Sequence, residues 1–415
     1  MGKRAAVLPD SVKVSAKTDF LCYADDGADI NTADGKNVQT GKYLTATKTF
    51  QRWNPENCNM YGVYTFRDGI AYSCEYGVTS LVNNVAKNVF DVVADSADTL
   101  FVNDPDSRKS YLYYNKKAYV YDGENAKRMQ GADGKKVAAL AVCGGRVFCA
   151  VGSSVLYSDA DGTDLGEDNG GGTLNFVEDV TALCAVDNKL YVFADRAYVV
   201  DLSYDEEYFA LKPFSSVHAV SYAVAARGKM YCFSDKGLVV ADAPDKPIAL
   251  PVETGTSPVC PPCVIGDKIY FCTAQKTYGY DAADGSVAII GGGFTTLATD
   301  GTNLYGCDGT QAYVATATPS EVTWASKPVT FGVYGKKYLR KIYVVAQGDV
   351  MVTVEGKHKF TLELQNADGR IAQAPCYLDG DEFTLGVSLA PSATVKSIRL
   401  DGVVYQKEVY VCKNR

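Results

Sequence analysis

The chain has 415 residues, 47% apolar and 22% charged, which is ordinary for a globular protein with a substantial core. Its 41 basic and 49 acidic residues leave a net charge of −8, which argues against a phosphate-gripping surface of clustered Lys and Arg and against binding an anionic membrane. Only 2 His are present, which nearly excludes chemistry built on imidazole clusters, whereas 29 Tyr and 38 Gly indicate pleated strands separated by tight turns.

Residues 1–50 are polar, carry Asp25-Asp26-Gly27 and Ala33-Asp34-Gly35, and read as an extended N-terminal arm ordered by partners or by the edge of the body. The first ten residues hold two basic residues but no apolar stretch of the kind a secretory signal needs. No run reaches the roughly 18 apolar residues of a transmembrane helix.

Residues 51–328 are organised by an internal repeat. A turn residue and a polar residue are followed by apolar-aromatic-apolar, as in Asn188-Lys-Leu-Tyr191, Gly228-Lys-Met-Tyr231, Asp267-Lys-Ile-Tyr270 and Thr302-Asn-Leu-Tyr305. Looser copies supply Tyr72, Tyr113 and Phe148, so successive anchors lie 41, 35, 43, 40, 39 and 35 residues apart. A second short apolar run follows most anchors, as in Ala197-Tyr-Val-Val200 and Gly237-Leu-Val-Val240, and another precedes them. Three or four short strands about every 40 residues predict a six- or seven-bladed β-propeller, because one blade cannot bury both faces of its sheet while a ring of them can.

Residues 329–415 lose the repeat. Lys341–Val345, Val350–Val354, Phe360–Leu364, Glu382–Leu385 and Val395–Leu400 alternate apolar and polar, which predicts a C-terminal antiparallel β-sandwich. The fold class is therefore all-β throughout.

Thirteen Cys are spread along the chain, and Cys74, Cys149, Cys232 and Cys272 sit inside apolar strand-like runs. They read as small buried hydrophobes in a reducing compartment. Cys260-Pro-Pro-Cys263 lacks the helix start that lowers a redox thiol's pKa and lacks a second Cys pair to complete a zinc site, so it reads as packing. The loop 158–169 holds Asp159, Asp161 and Asp164, with Glu167 and Asp168, and is a weak calcium candidate. Its glycine comes too early for an EF-hand and no bidentate Glu ends it; a solvated hairpin loop is the alternative. His218 and His358 have no neighbouring nucleophile phrase. No catalytic or cofactor-binding residues are identified. The densest basic run supplies Lys336, Lys337, Arg340 and Lys341 as candidate contacts with an acidic partner surface.

The stretch Val333-Tyr-Gly-Lys-Lys-Tyr-Leu-Arg-Lys-Ile-Tyr-Val344, followed by Gly348-Asp-Val-Met-Val-Thr-Val354, resembles the C-terminal part of tail nozzle or head–tail stabilisation proteins of short-tailed phages. The order of arm, degenerate propeller and β-sandwich resembles that family too. The resemblance implies a non-enzymatic virion protein, assembled in the host bacterial cytoplasm. It implies a ring of copies around the DNA channel, in contact with other tail proteins on the portal or adaptor side. An acidic chain suits a conduit that DNA passes without specific binding. Two other readings stand beside it: a cytoplasmic propeller scaffold for a protein or peptide, and a propeller hydrolase or lyase using paired loop carboxylates on carbohydrate.

Overall fold

The computed structural model describes residues 11–18, 20, 30–67, 69–95, 98–202, 209–252, 257–333 and 335–405. Their regular secondary structure is β-strand throughout, apart from one 3-10 turn, Glu167–Asn169.

Each of the seven aromatic anchors lies on the second strand of one antiparallel unit. Six units are free-standing sheets, at 60–90, 100–129, 139–175, 182–215, 222–240 and 296–317. The seventh, at 263–291, follows the same plan but continues through its outer strand into the C-terminal sheet. The first strands of neighbouring units touch in sequence order, and Thr296–Thr299 of the last touches Met60–Phe66 of the first, so the units close into a propeller ring. Blades are numbered here in chain order, the unit at 263–291 being blade 6.

The turns explain the local geometry. Type I′ hairpin loops, whose twist matches the right-handed twist of the strands, take φ > 0 at both central residues. Asp187-Asn188, Gly144-Gly145 and Arg227-Gly228 each take positive φ at both positions. Behind these turns the anchors are buried: Tyr72, Tyr113, Phe148, Tyr231 and Tyr305 all fill space between blades, and Tyr191 and Tyr270 are half-buried.

Closure uses a strand that precedes blade 1. Thr49–Trp53 pairs antiparallel with Ala312–Ala317 and becomes the outer strand of blade 7. Trp53 then lies edge-on between two blades, 5.6 Å from the ring of Tyr72 and 5.1 Å from that of Tyr305. Around it, Met60, Val63 and Ile70 of blade 1 share one apolar cluster with Ala298, Cys307 and Ala312 of blade 7. Polar bonds cross the same seam: the Val63 amide donates to Thr296 Oγ1 at 2.9 Å, and the Thr299 amide to Thr65 Oγ1 at 3.1 Å.

The antiparallel strands expected beyond residue 329 are present, joined in one large branched sheet. Lys337–Glu355 is its spine. Lys359–Gly380 runs along one side; Thr384–Leu389 and Thr394–Tyr405 share the other. Residues 1–50, read from sequence as an extended arm, contribute strands to this body where they are described. Ser11–Lys17 pairs with Thr394–Tyr405, Thr32–Lys36 with Thr323–Ser326, and Val38–Thr40 with blade 6. Trp324 secures them: it is 1% exposed, its Nε1 donates to Thr32 Oγ1 at 2.9 Å, and Phe20 meets it edge-on. The sheet and propeller are not independently packed. One core runs from Ile342, Val352 and Ile398 into Phe233, Phe271 and Ile289 of blades 5 and 6.

Two outcomes are expected. Trp53→Ala costs about 3 kcal/mol, the low end for losing a Trp because Trp53 is only part-buried, and makes the chain around 49–60 protease-sensitive; urea unfolding and limited proteolysis check this. The second concerns alkali. Burial pushes the thiols of Cys143, Cys149, Cys184, Cys232, Cys263 and Cys307 from the ordinary 9.0 up to about 12. Below 9.0 both folded and unfolded chains keep these protons. Between 9.0 and about 12 the unfolded chain releases protons that the folded chain retains, so stability falls across that window. Urea midpoints measured from pH 7 to 11 check it.

Candidate interaction surface

The usual reaction chamber of a propeller lies on its axis. Here the cavity facing the axis along blades 2 to 6 holds about 130 Å³ and is lined by Leu100, Ala139, Ala182, Tyr222, Pro261 and Pro262, among other apolar side chains. None of its lining residues is a carboxylate, an imidazole or a thiol. The paired carboxylates of a glycoside hydrolase do not stand in this cavity.

Cys260-Pro-Pro-Cys263 takes its place in the same region. The two prolines face the axis, while both sulfurs turn into the apolar cluster between blades 6 and 7. Cys260 Sγ lies 3.2 Å from Cys272 Sγ, and Cys272 Sγ lies 3.2 Å from the Phe294 carbonyl oxygen to which it donates. This is the packing arrangement the strand context suggested.

The acidic loop is organised by its own hydrogen bonds. Asp159 accepts from the Thr163 amide at 2.9 Å and from the Thr163 hydroxyl at 3.0 Å. Asp164 reaches back to blade 2 and accepts from the Gln130 amide at 2.7 Å, while Lys109 donates to the Asp161 carbonyl. The carboxylates of Asp159, Asp161 and Asp164 do not gather within 4.8 Å of one another. The loop, between the last two strands of blade 3, bonds across to blade 2; its carboxylates do not converge on one point.

The basic run separates into two pairs. Lys337 is 2% exposed, its Nζ donating to the carbonyls of Gly335 at 3.0 Å and Asp381 at 2.6 Å. Burial holds its ammonium below the usual lysine range, against the attraction of Asp381 and Glu382. It ties the start of the spine strand to the Asp381 turn and offers nothing to a partner. Lys336 is exposed but paired with Asp379 at 2.6 Å. Arg340 and Lys341 are open. A bulge between Leu339 and Lys341 leaves both in solvent, and they line a groove of about 490 Å³ with Lys13, Arg399 and Tyr343. Arg399 lies over the Tyr343 ring at 4.1 Å, and Asp401 is the single acidic member of the lining.

Sequence reasoning did not single out the edge of the large sheet. Lys359–Gly380 is 22 residues long, and among the described residues it is hydrogen-bonded on one side only. Strand rise makes that free edge about 70 Å long. The core beneath it is not closed. On the neighbouring spine Val350, Val352 and Val354 are 3%, 0% and 0% exposed. On the edge strand Phe360, Leu362 and Leu364 are only partly buried against the same core. Ile371 and Tyr377 stand out from this strand at 69% and 67% exposure. Pro375, which cannot donate a ladder bond, is tolerated because the strand is at an edge. The alternation at Phe360-Thr-Leu-Glu-Leu364 was legible; that no strand covers its far side was not.

Removing Lys337 leaves two carbonyls without their donor, so Lys337→Ala is expected to cost about 1–3 kcal/mol. Arg340→Glu with Lys341→Glu is expected to change stability by less than about 0.5 kcal/mol. Parallel urea titrations distinguish the buried lysine from the exposed pair.

No family model matches the chain, and no curated protein matches it. Solved structures of similar general shape share little sequence. PorZ, a surface component of the type-IX secretion system of Porphyromonas gingivalis, aligns at 11% identity and TM-score 0.46, covering 76% of this chain and 46% of that one. The extracellular domain of a putative hybrid two-component system from B. thetaiotaomicron aligns at 8% identity and TM-score 0.48, covering 85% and 62%. The computationally designed protein Ika8 aligns at 10% identity and TM-score 0.42, covering 65% and 100%. The chain thus spans about half to three fifths of the two natural proteins.

Proposed function

We propose that this chain is a non-enzymatic structural protein of a phage tail, a nozzle or head–tail connector component that assembles as a ring of copies around the DNA channel. The observation that carries the reading is the open edge at Lys359–Gly380. A long strand with free backbone groups and a half-covered apolar row favours association by strand addition. Three bulges in its pairing with the spine twist this edge, and Glu363, Asp368 and Arg370 punctuate it. Such features discourage indiscriminate pairing and leave a shaped, selective contact.

Four further facts support the same role. The axial cavity is lined mostly by apolar groups and holds no carboxylate, imidazole or thiol. The net charge of −8 repels a passing duplex. The propeller and C-terminal sheet share one core, which suits a rigid building block. The basic groove at Arg340, Lys341 and Arg399 supplies a complementary contact for an acidic tail protein. A scaffold that takes a strand from an unrelated protein would use the same edge in a single copy.

The test is the assembly state of the full-length protein, alone and mixed with tail particles lacking it. The expected result is a closed oligomer, free or particle-bound. Ile371→Lys and Tyr377→Lys, both at exposed positions on this strand, are expected to abolish assembly with little change in the urea midpoint. A stable monomer that ignores tail particles overturns the phage-tail reading.

A further inference from the structure

Glu56, Cys58 and Cys74 place one carboxylate oxygen and two sulfurs all within 4.8 Å of one another. Glu56 and Cys58 belong to the loop from the closure strand Thr49–Trp53 to blade 1, and Cys74 ends the second strand of that blade. The loop is held in shape from within. Asn54 Oδ1 accepts from the Cys58 amide at 3.1 Å, and Asn54 Nδ2 donates to the Cys58 carbonyl at 3.2 Å. Both sulfurs are buried while Glu56 faces solvent, so the cluster has a dry side and an entry side.

A second observation points to the same place. Tyr72 is fully buried, and its hydroxyl makes no hydrogen bond of ordinary geometry; the Glu56 carboxylate is the acceptor it faces. Two residues before Cys74 on one strand, it presents its side chain to the same face. A buried hydroxyl without a well-formed bond is costly, and such a group in a native structure calls for a missing ligand or water.

We propose that Glu56, Cys58 and Cys74 bind one zinc-like divalent cation, and that the Tyr72 hydroxyl bonds to the water or ligand completing its shell. Two thiolates and one carboxylate suit a borderline-soft ion in tetrahedral coordination; calcium and magnesium select oxygen donors instead. As the ion binds, the two thiols release their protons to solvent, and three anionic donors face the dication. The ion ties the loop leaving the closure strand to the first blade, directly behind Trp53. Its role is to staple the ring shut. A disulfide between Cys58 and Cys74 is the rival use of the same sulfurs.

The test uses the full-length protein, reduced, stripped with a chelator and titrated with zinc or cobalt(II) alone. One equivalent per chain is expected, with thiolate-to-cobalt charge-transfer absorption and a zinc-dependent rise in melting temperature. Glu56→Gln, at an exposed position, and Tyr72→Phe, which keeps the ring beside Trp53, are expected to bind at least about tenfold more weakly while remaining folded. Cys74→Ser lowers the charge-transfer band by half or more. The proposal is overturned by sub-stoichiometric metal with all thiols still titratable. A mass two hydrogens lighter with Cys58 and Cys74 blocked overturns it too, as does unchanged affinity in Glu56→Gln and Tyr72→Phe.

Discussion

Everything in this molecule depends on closing the ring at one seam. A propeller with an open gap exposes two blade faces to water, and the gap here is sealed by five residues, Thr49–Trp53, lent to the last blade from ahead of the first. Trp53 supplies the apolar wedge and the ladder to Ala312–Ala317 supplies the register. Neither suffices alone. A five-residue strand held by backbone bonds frays easily, and a Trp without a registered strand has no fixed place. Together they convert a linear series of blades into an object whose neighbours are all satisfied.

The large sheet extends the same economy. It does not hang from the propeller by a linker, because the outer strand of blade 6 continues into it through Val38–Thr40 and Leu44–Ala46. The strands before residue 50 act as stitches between the two bodies. Asn37 shows this in one side chain: its Oδ1 accepts from the Gly291 amide of blade 6, and its Nδ2 donates to the Glu321 carbonyl that leads into the sheet. Force applied at the open edge of Lys359–Gly380 therefore reaches blades 5 and 6 through packed side chains.

The blades were legible because their signal is local. A turn pair, a basic residue and an aromatic flanked by apolar residues lie within about eight positions, and seven such anchors mark seven second strands. The stitches were not legible for the opposite reason. Thr32–Lys36 and Val38–Thr40 are polar five- and three-residue strands whose partners lie far along the chain, as with Asn37 and Gly291 at a separation of 254 residues. Lys336 and Lys337 are identical in sequence and opposite in setting, since pleat alternation sends one outward and one into the turn. Glu56, Cys58 and Cys74 follow no spacing rule, because a hairpin and a closure loop, not a motif, bring them together.

The closure strand also sets a schedule. Gln51 meets Thr316 across 265 residues of intervening chain, and Ser15 meets Asp401 across 386. At about 5–20 residues per second, a ribosome that has made Trp53 needs roughly 15 to 50 s to produce its partner strand. Through that interval any blades already folded can form only an open arc, with a raw edge at each end. Only a chain translated past Ala317 can seal itself, so truncated products stay open and exposed to proteases, while finished ones shut abruptly. The same borrowed strand that makes the mature ring rigid makes its birth all-or-none.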